Sequence, residues 1–216
     1  VHFAETGRYF RRYQVTGVPV RHAFFERFDE AQHNHQPTLL VFGGSQGAHA
    51  INQAVIQSLP ALRAQIPGLH VIHQTGERDY NEAQASYLAA GGSAEVYPFI
   101  DDMPGTFARS DLLICRSGAS TVAEITAAGK AAIFVPFPRA ADDHQKRNAQ
   151  ALVRQGAALM IEENLLTPDR LIADVKGLLT DAARVKKIAA AARALAHPEA
   201  AEEIAEMAVK LGGVGG

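Results

Sequence analysis

The chain has 216 residues, 47% hydrophobic and 20% charged, the make-up of an ordinary globular chain of one or two domains. Its 21 basic and 23 acidic side chains leave a formal net charge of −2, which excludes the basic stripe of a nucleic-acid-binding protein. A single cysteine, Cys115, excludes an internal disulfide and a cysteine-rich zinc site, and no apolar run reaches the ~20 residues that span a bilayer.

Residues 1–35 read as a lead-in and linker, without the basic start and apolar core of a secretion signal. Val1-His2-Phe3-Ala4 has the look of a strand tail with no element before it, so the chain is expected to be a fragment. Residues 15–21 are predicted as an irregular edge strand broken by Gly17 and Pro19, and 32–36 as a polar linker in which His33 and His35 are solvated. From Pro37 the pattern is regular. Strands are predicted at 38–42, 70–73, 95–97, 112–115, 132–135 and 158–161. Helices are predicted at 48–57, 79–90, just after Met103-Pro104, at 120–128 and at 143–155. Gly129 and Gly156 close the last two. From Pro168 onward the chain reads as helical, with Pro198 separating two helices and a Gly-rich end. Strands alternating with helices in this way predict a doubly wound α/β fold, a parallel sheet covered on both faces. The expected division is a lead-in over 1–35, a Rossmann-like domain over 36–196, and a C-terminal helix with a flexible tail over 197–216.

Two strand–helix turns carry the chemistry: Gly43-Gly44-Ser45-Gln46-Gly47 after the first strand, and Cys115 to Glu124 after the fourth. In a parallel sheet such turns lie at the carboxyl ends of strands, where ligands bind. Their free N–H groups and the positive end of the helix dipole suit a phosphate. A pair of them suggests a diphosphate held from two sides. The plainer alternative for the first is a tight glycine turn with Ser45 as helix cap. It lacks the Lys of a Walker loop and the G-x-G-x-x-G spacing of a dinucleotide fold. Thr121-Val122-Ala123-Glu124 also fits a capping box, so Glu124 either satisfies the helix start or accepts hydrogen bonds from both hydroxyls of a ribose. Arg116 belongs either to the cleft or to a surface ion pair. In Asp142-Asp143-His144-Gln145 an Asp can cap the next helix, while His144 and Gln145 face the cleft, where an amide can bind sugar hydroxyls. Phe99-Ile100-Asp101 either sets backbone groups against a flat base or packs at a strand end. The nine histidines are scattered, no pair has metal-ligand spacing, and no G-x-S-x-G elbow is present.

These segments, with Val15-Thr16-Gly17-Val18-Pro19-Val20-Arg21 and Val135-Pro136-Phe137 leading to Asp142–Ala149, closely resemble the C-terminal half of the MurG family. That family transfers N-acetylglucosamine to lipid I to give lipid II in peptidoglycan synthesis. The resemblance runs in order to about residue 195. It implies the two-domain GT-B architecture, with this half binding UDP-N-acetylglucosamine. It carries Ile100 to the uracil through its backbone and Glu124 to the ribose. Ser45, Ser120 and Thr121 face the diphosphate, with Gly44, Gln46, Ser117, Gly118 and Ala119 in the same loops. Arg116 and Arg21 approach the nucleotide, and Gln145, beside His144, recognises the sugar. Many relatives carry Gln where His144 stands, and a larger apolar residue at position 120, so Ser120 acts mainly through its backbone.

The reaction implied is transfer with inversion, in which an acceptor hydroxyl attacks the anomeric carbon as UDP leaves. No metal or other cofactor is implied. The base, the acceptor site and the membrane-facing patch belong to the family's N-terminal domain, so lipid I and the cytoplasmic face of the bacterial inner membrane are reached through the full-length protein. This chain alone is expected to bind donor without catalysis. A non-catalytic nucleotide-sugar-binding subunit needing a partner chain, a transferase acting on a different glycolipid, and a sugar-nucleotide epimerase remain as alternatives.

Overall fold

The computed structural model describes residues 11, 13–26, 36–138, 140 and 143–212. The expectations for residues 1–10, for the linker up to residue 35, for Asp142 and for the last four residues lie outside that set. Six strands form one sheet: β1 (Thr38–Phe42), β2 (His70–Gln74), β3 (Ala94–Tyr97), β4 (Leu112–Cys115), β5 (Ala131–Phe134) and β6 (Leu159–Met160). All neighbours run parallel, in the order β3-β2-β1-β4-β5-β6. Parallel strands need crossovers, and here these are helical: α1 (His49–Gln65), α2 (Tyr80–Ala90), α3 (Met103–Ala108), α4 (Ala119–Ala128) and α5 (His144–Arg154). α6 (Pro168–Leu179), α7 (Ala182–Arg193) and α8 (Ala200–Gly212) follow. This is the doubly wound sheet that the alternation predicted.

β1, β4 and β5 are buried along their whole length, which is why they read as continuous apolar runs without alternation. Their side chains divide between two cores. Leu39, Val41, Ile114 and Ile133 join Val55, Leu59 and Leu62 of α1 and Leu171 and Val175 of α6 on one face. Leu40, Phe42, Leu113 and Cys115 join Val122 and Ile125 of α4 with Phe24 and Phe107 on the other. Each such Leu or Ile side chain removed from water contributes on the order of 1.5–3 kcal/mol, so strand ends are held firmly and the loops leaving them inherit that rigidity.

Residues 15–21 are not a strand. Gly17 sits at φ +77° and Pro19 has no N–H, so the segment cannot present a regular ladder edge. It crosses the surface as extended coil into a short 3-10 turn, His22–Phe24, that drops Phe24 edge-on against Phe107 at 5.2 Å between ring centroids. A Cβ on Gly17 would lie 2.6 Å from the His197 side chain, and Arg193 donates to the carbonyl of Phe25 at 2.9 Å, so the lead-in is seated against the end of α7. α1 runs to Gln65 instead of stopping near residue 57. Pro60 looks like a stop signal, but Leu59 and Leu62 are fully buried, and their packing carries the helix past the missing N–H. β5 and β6 begin one residue away from their expected starts: β5 is buried throughout and gives no periodic cue, and β6 is only two residues long, too short to show one. Gly129 closes α4 in the left-handed conformation at φ +61°, as expected.

Candidate functional site

In the order 3-2-1-4-5-6 the chain reverses direction between β1 and β4, and the loops leaving those two strands diverge. Phe42 and Cys115, the last residues of the two strands, are register partners, so both turns start from the same level of the sheet. Between them opens a cleft of about 540 Å³, lined by Gly43, Gly44, Gly47, His49, Arg116, Gly118, Thr121, Phe137, Gln145 and Glu163.

The first turn is closed by the Gly47 N–H donating to the carbonyl of Gly44 at 2.9 Å. Gly44 (φ +87°) and Gly47 (φ +71°) both occupy the left-handed region. Buried Gln74, at the end of β2, holds the turn in place: its Nε2 donates to the Gly44 carbonyl at 2.8 Å. Ser45 and Gln46 are exposed. Ser45 is not the cap of α1; that position is Ala48, with no side-chain cap bond. The hydroxyl of Ser45 therefore has no structural duty at the helix start.

The second turn enters α4 through Gly118, whose carbonyl accepts from the Val122 N–H at 2.9 Å. No side chain caps this helix, so the N–H groups of Ala119, Ser120 and Thr121 are first-turn donors without intrahelical partners. The capping box expected over residues 121–124 does not form, because the helix begins at Ala119 and places Glu124 well inside it. Glu124 is half-buried, and its side chain makes no hydrogen bond among the described residues. Burial holds its carboxyl above the usual range, and the positive charge of Arg21 opposes that shift. The lead-in thus brings exposed Arg21 within electrostatic reach of Glu124, its guanidinium resting over the Phe24 ring at 5.3 Å.

Arg116 is largely buried at the floor of the cleft. It donates to the carbonyls of Val135 and Pro136 at 3.1 and 3.3 Å, pairs with Glu163 at 2.5 Å and lies 5.3 Å from the Phe137 ring centre. Both expectations for Arg116 hold in part: it lines the cleft, and it is ion-paired. Ser117 departs from its expected role. Fully buried, it donates its hydroxyl to the Gln145 carbonyl at 2.8 Å, while its own carbonyl accepts from Asn148 at 3.0 Å. These bonds lock the start of α5 onto the end of β4. Gln145 Oε1 accepts from the Phe137 N–H at 3.0 Å, which directs its Nε2 donor pair toward the cleft that it lines. His144 is exposed and is not part of the cleft lining. Asp143 does not cap α5 by its side chain; it holds φ +52°, the one left-handed non-glycine residue among those described.

Ile100 packs at the strand end, as the sequence allowed. Its side chain is buried in the core, its N–H donates to Gln74 Oε1 at 3.2 Å, and it lines a separate depression of about 410 Å³ with Tyr97, Phe99 and Arg109. Any contact of its backbone with a base falls to its carbonyl. Gln74, Glu163 and His49 were not singled out in the sequence. His49 lies in the first helical turn beside the first glycine motif, a position that could have drawn notice, whereas Gln74 ends the next strand and reaches the motif only through the sheet. Glu163 lies in a short turn far along the chain, and nothing local marks it. Among the described residues no group of three or more His, Cys, Asp or Glu gathers as a metal site.

A family model for the glycosyltransferase family 28 C-terminal domain matches residues 38–204. Curated proteins from Anaeromyxobacter sp. (strain Fw109-5) and Syntrophus aciditrophicus (strain SB) are each 45% identical, over 212 and 207 residues. Both are named UDP-N-acetylglucosamine–N-acetylmuramyl-(pentapeptide) pyrophosphoryl-undecaprenol N-acetylglucosamine transferase. The alignments cover 97% and 94% of this chain but 56% and 57% of those proteins, so the chain spans a little over half their length. The crystal structure of Acinetobacter baumannii MurG superposes with a TM-score of 0.74 at 36% identity, over 82% of this chain and 50% of that one. A UDP-N-acetylglucosamine 2-epimerase, at 14% identity and a TM-score of 0.61, shares the fold alone. Matched along most of its length, and with its cleft at the switch point of the sheet, the chain belongs to the family of glycosyltransferase family 28 C-terminal domains.

Proposed function

We propose that the cleft binds UDP-N-acetylglucosamine and that this chain is the donor-binding half of an inverting GT-B transferase. The transferase would move N-acetylglucosamine onto undecaprenyl-pyrophosphoryl-MurNAc-pentapeptide in peptidoglycan synthesis. The observation that carries this reading is Glu124, a half-buried carboxylate without a hydrogen-bond partner among the described residues. It lies three residues beyond cleft-lining Thr121, on the same side of α4. A lone half-buried carboxylate costs stability unless something pairs with it, and the two hydroxyls of a ribose are a matching pair of donors. The unpartnered N–H groups of the α4 start and the Gly43–Gly47 turn suit the diphosphate, and Gln145 Nε2 suits a sugar hydroxyl or acetamido carbonyl.

As the anomeric carbon–oxygen bond breaks, negative charge gathers on the leaving UDP. Preorganised amide dipoles on both sides of the diphosphate then stabilise the transition state more than the bound donor, which is what lowers a barrier. The attacking hydroxyl and its base are assigned to the part of the relatives that this chain does not span, with residues 1–35 as the lead-in to that part and 36–196 as the donor domain. On that division the chain binds donor without turning it over. Among the described residues no helix is long and apolar enough to cross a membrane, and we place the parent enzyme peripherally on the cytoplasmic face, where its lipid-borne acceptor lies.

Calorimetric titration of the chain is expected to give saturable binding of UDP and UDP-N-acetylglucosamine and none of ADP-sugars; equal heats for ADP and UDP would sink the assignment. Gln145→Ala should cut the preference for UDP-N-acetylglucosamine over UDP several-fold, since one amide–sugar hydrogen bond is worth about 0.5–1.5 kcal/mol. An unchanged ratio removes Gln145 from the sugar site.

A further inference from the structure

Behind the first glycine turn lies a chain of buried polar groups that the reading above does not use. His73 is fully buried on β2, and burial lowers its pKa to about 3 against the opposing charge of Asp79, so its ring is neutral. Its Nε2 faces Asn52 Oδ1 at 3.0 Å; an amide oxygen only accepts, so Nε2 carries the proton. Nδ1 is then an acceptor, and the Tyr87 hydroxyl donates to it at 3.0 Å. Asn52, its oxygen thus fixed, donates from Nδ2 to the Thr75 carbonyl and to Asp79 Oδ2, both at 2.8 Å. Every member is satisfied, and the chain ends on the buried Asp79 carboxylate. Burial alone would raise that group, but bonds from Asn52 and His49 outweigh it and hold Asp79 below the usual range.

Asp79 in turn holds His49. Nδ1 of His49 lies 3.0 and 3.1 Å from the two Asp79 oxygens, so Nδ1 is the protonated nitrogen and the ring is fixed in orientation. His49 is the first residue of α1, its side chain is 52% exposed, and it lines the same cleft as Gly43, Gly44 and Gly47. The remaining nitrogen, Nε2, has no hydrogen-bond partner among the described residues and is the outer end of a relay whose other end is anchored in the core. We propose that His49, oriented by Asp79, is a diphosphate-contacting residue of the donor site: Nε2 takes up a proton as donor binds and gives a charge-assisted hydrogen bond to a phosphate oxygen. This rests on the nucleotide-sugar reading of the cleft. Asp79 acts as a positioning residue, since it touches His49 and not the ligand. The charged groups around the ring are Asp79 and Arg78 from the turn after β2, with Arg116 and Glu163 on the cleft lining. Arg116 and Glu163 neutralise each other.

The experiment is a calorimetric titration of the full chain with UDP-N-acetylglucosamine from pH 6 to pH 8. Its diphosphate is a diester with no proton of its own to gain in that range. Wild type should bind several-fold more tightly at pH 6 than at pH 8. His49→Ala should bind about five- to tenfold more weakly than wild type at pH 6 and show a flat profile, while the ligand-free chain still melts cooperatively, somewhat below wild type because Asp79 loses one of its partners. His49→Gln should also be flat. A His49→Ala profile that keeps the wild-type slope and affinity overturns this assignment and leaves the donor site standing. Wild type that binds no UDP-N-acetylglucosamine at any pH overturns the donor site itself, and His49 with it.

Discussion

Glu124→Ala is expected to weaken UDP binding about 10- to 150-fold, corresponding to about 1.5–3 kcal/mol for hydrogen bonds to an ionised group. The ligand-free chain should lose no stability. A capping residue would behave in the opposite way, because removing a cap costs about 1 kcal/mol of folding free energy whether or not ligand is present. Here Gly118 occupies the cap position, and no side chain, that of Glu124 included, caps the start of α4. What Glu124 contributes without ligand is a desolvated charge. Burial raises its proton affinity, and Arg21 opposes this without cancelling it. A carboxyl that holds its proton more tightly folded than unfolded adds stability as the pH falls and subtracts it as the pH rises. Glu124→Gln should therefore melt above wild type at pH 7, with the gap closing as the pH drops through the ordinary carboxylate range. Thermal melts of both proteins across that range check the sign. The nucleotide specificity is checked with 2′-deoxy-UDP, which wild type should bind more weakly than UDP; the penalty should shrink in Glu124→Ala. An equal penalty in both proteins would move the ribose away from this carboxylate.

How far the sequence carried the fold can be seen at β1 and β4. Their apolar runs, each ended by a turn of small residues, were legible to the residue, because strands buried on both faces are drawn mostly from Leu, Ile, Val and Phe. Residues 15–21 failed as a strand because an apolar, β-branched segment reads alike whether it joins a ladder or merely covers a core. α1 was cut short because a proline in a helix is read as a stop, while burial of Leu59 and Leu62 acts over distances that no local window sees. At the site, both turns were legible as strand-to-helix turns at the sheet's carboxyl end, and both line the cleft, since they consist largely of backbone and small residues. The side chains that hold those turns were not. Gln74 joins the first turn to Ile100 from 26 residues away, and Ser117 and Asn148 join β4 to α5 across 31. Such bonds depend on which strand lies beside which, a fact set by the whole sheet. The same holds for the capping role of Glu124: the local string Thr-Val-Ala-Glu fits a capping box wherever the helix begins, and only the start of α4 at Ala119 removes that role.

Gly47→Ala is expected to be among the most damaging single changes in the chain, and Gly44→Ala, three residues away in the same turn, far milder for folding. Both glycines have positive φ, so each alanine carries a backbone strain of about 1–2 kcal/mol. Their surroundings differ. A Cβ at position 47 would stand 1.9 Å from the Thr75 carbonyl oxygen and 2.7 Å from its carbon, and one at Gly76 would stand 2.5 Å from the Gln46 carbonyl oxygen. Two backbones are stacked there with no side chain able to turn aside, and the Thr75 carbonyl is already fixed by Asn52 at 2.8 Å. Relief requires prising the glycine turn off the end of β2, which would also strain the Gln74 bond to Gly44. A total of about 3–5 kcal/mol follows, or a fall in melting temperature of about 10 °C for a chain of this size. A Cβ at position 44 meets nothing within 4 Å, and Gly44 lines the cleft. Gly44→Ala should then melt within a few degrees of wild type yet bind UDP more weakly, because its methyl occupies space at the edge of the diphosphate site. Melting curves and UDP titrations of the two variants separate the effects. Should Gly47→Ala melt with Gly44→Ala, the turn is not braced by β2, and the rigidity on which both the amide dipoles and His49 depend is lost as an explanation.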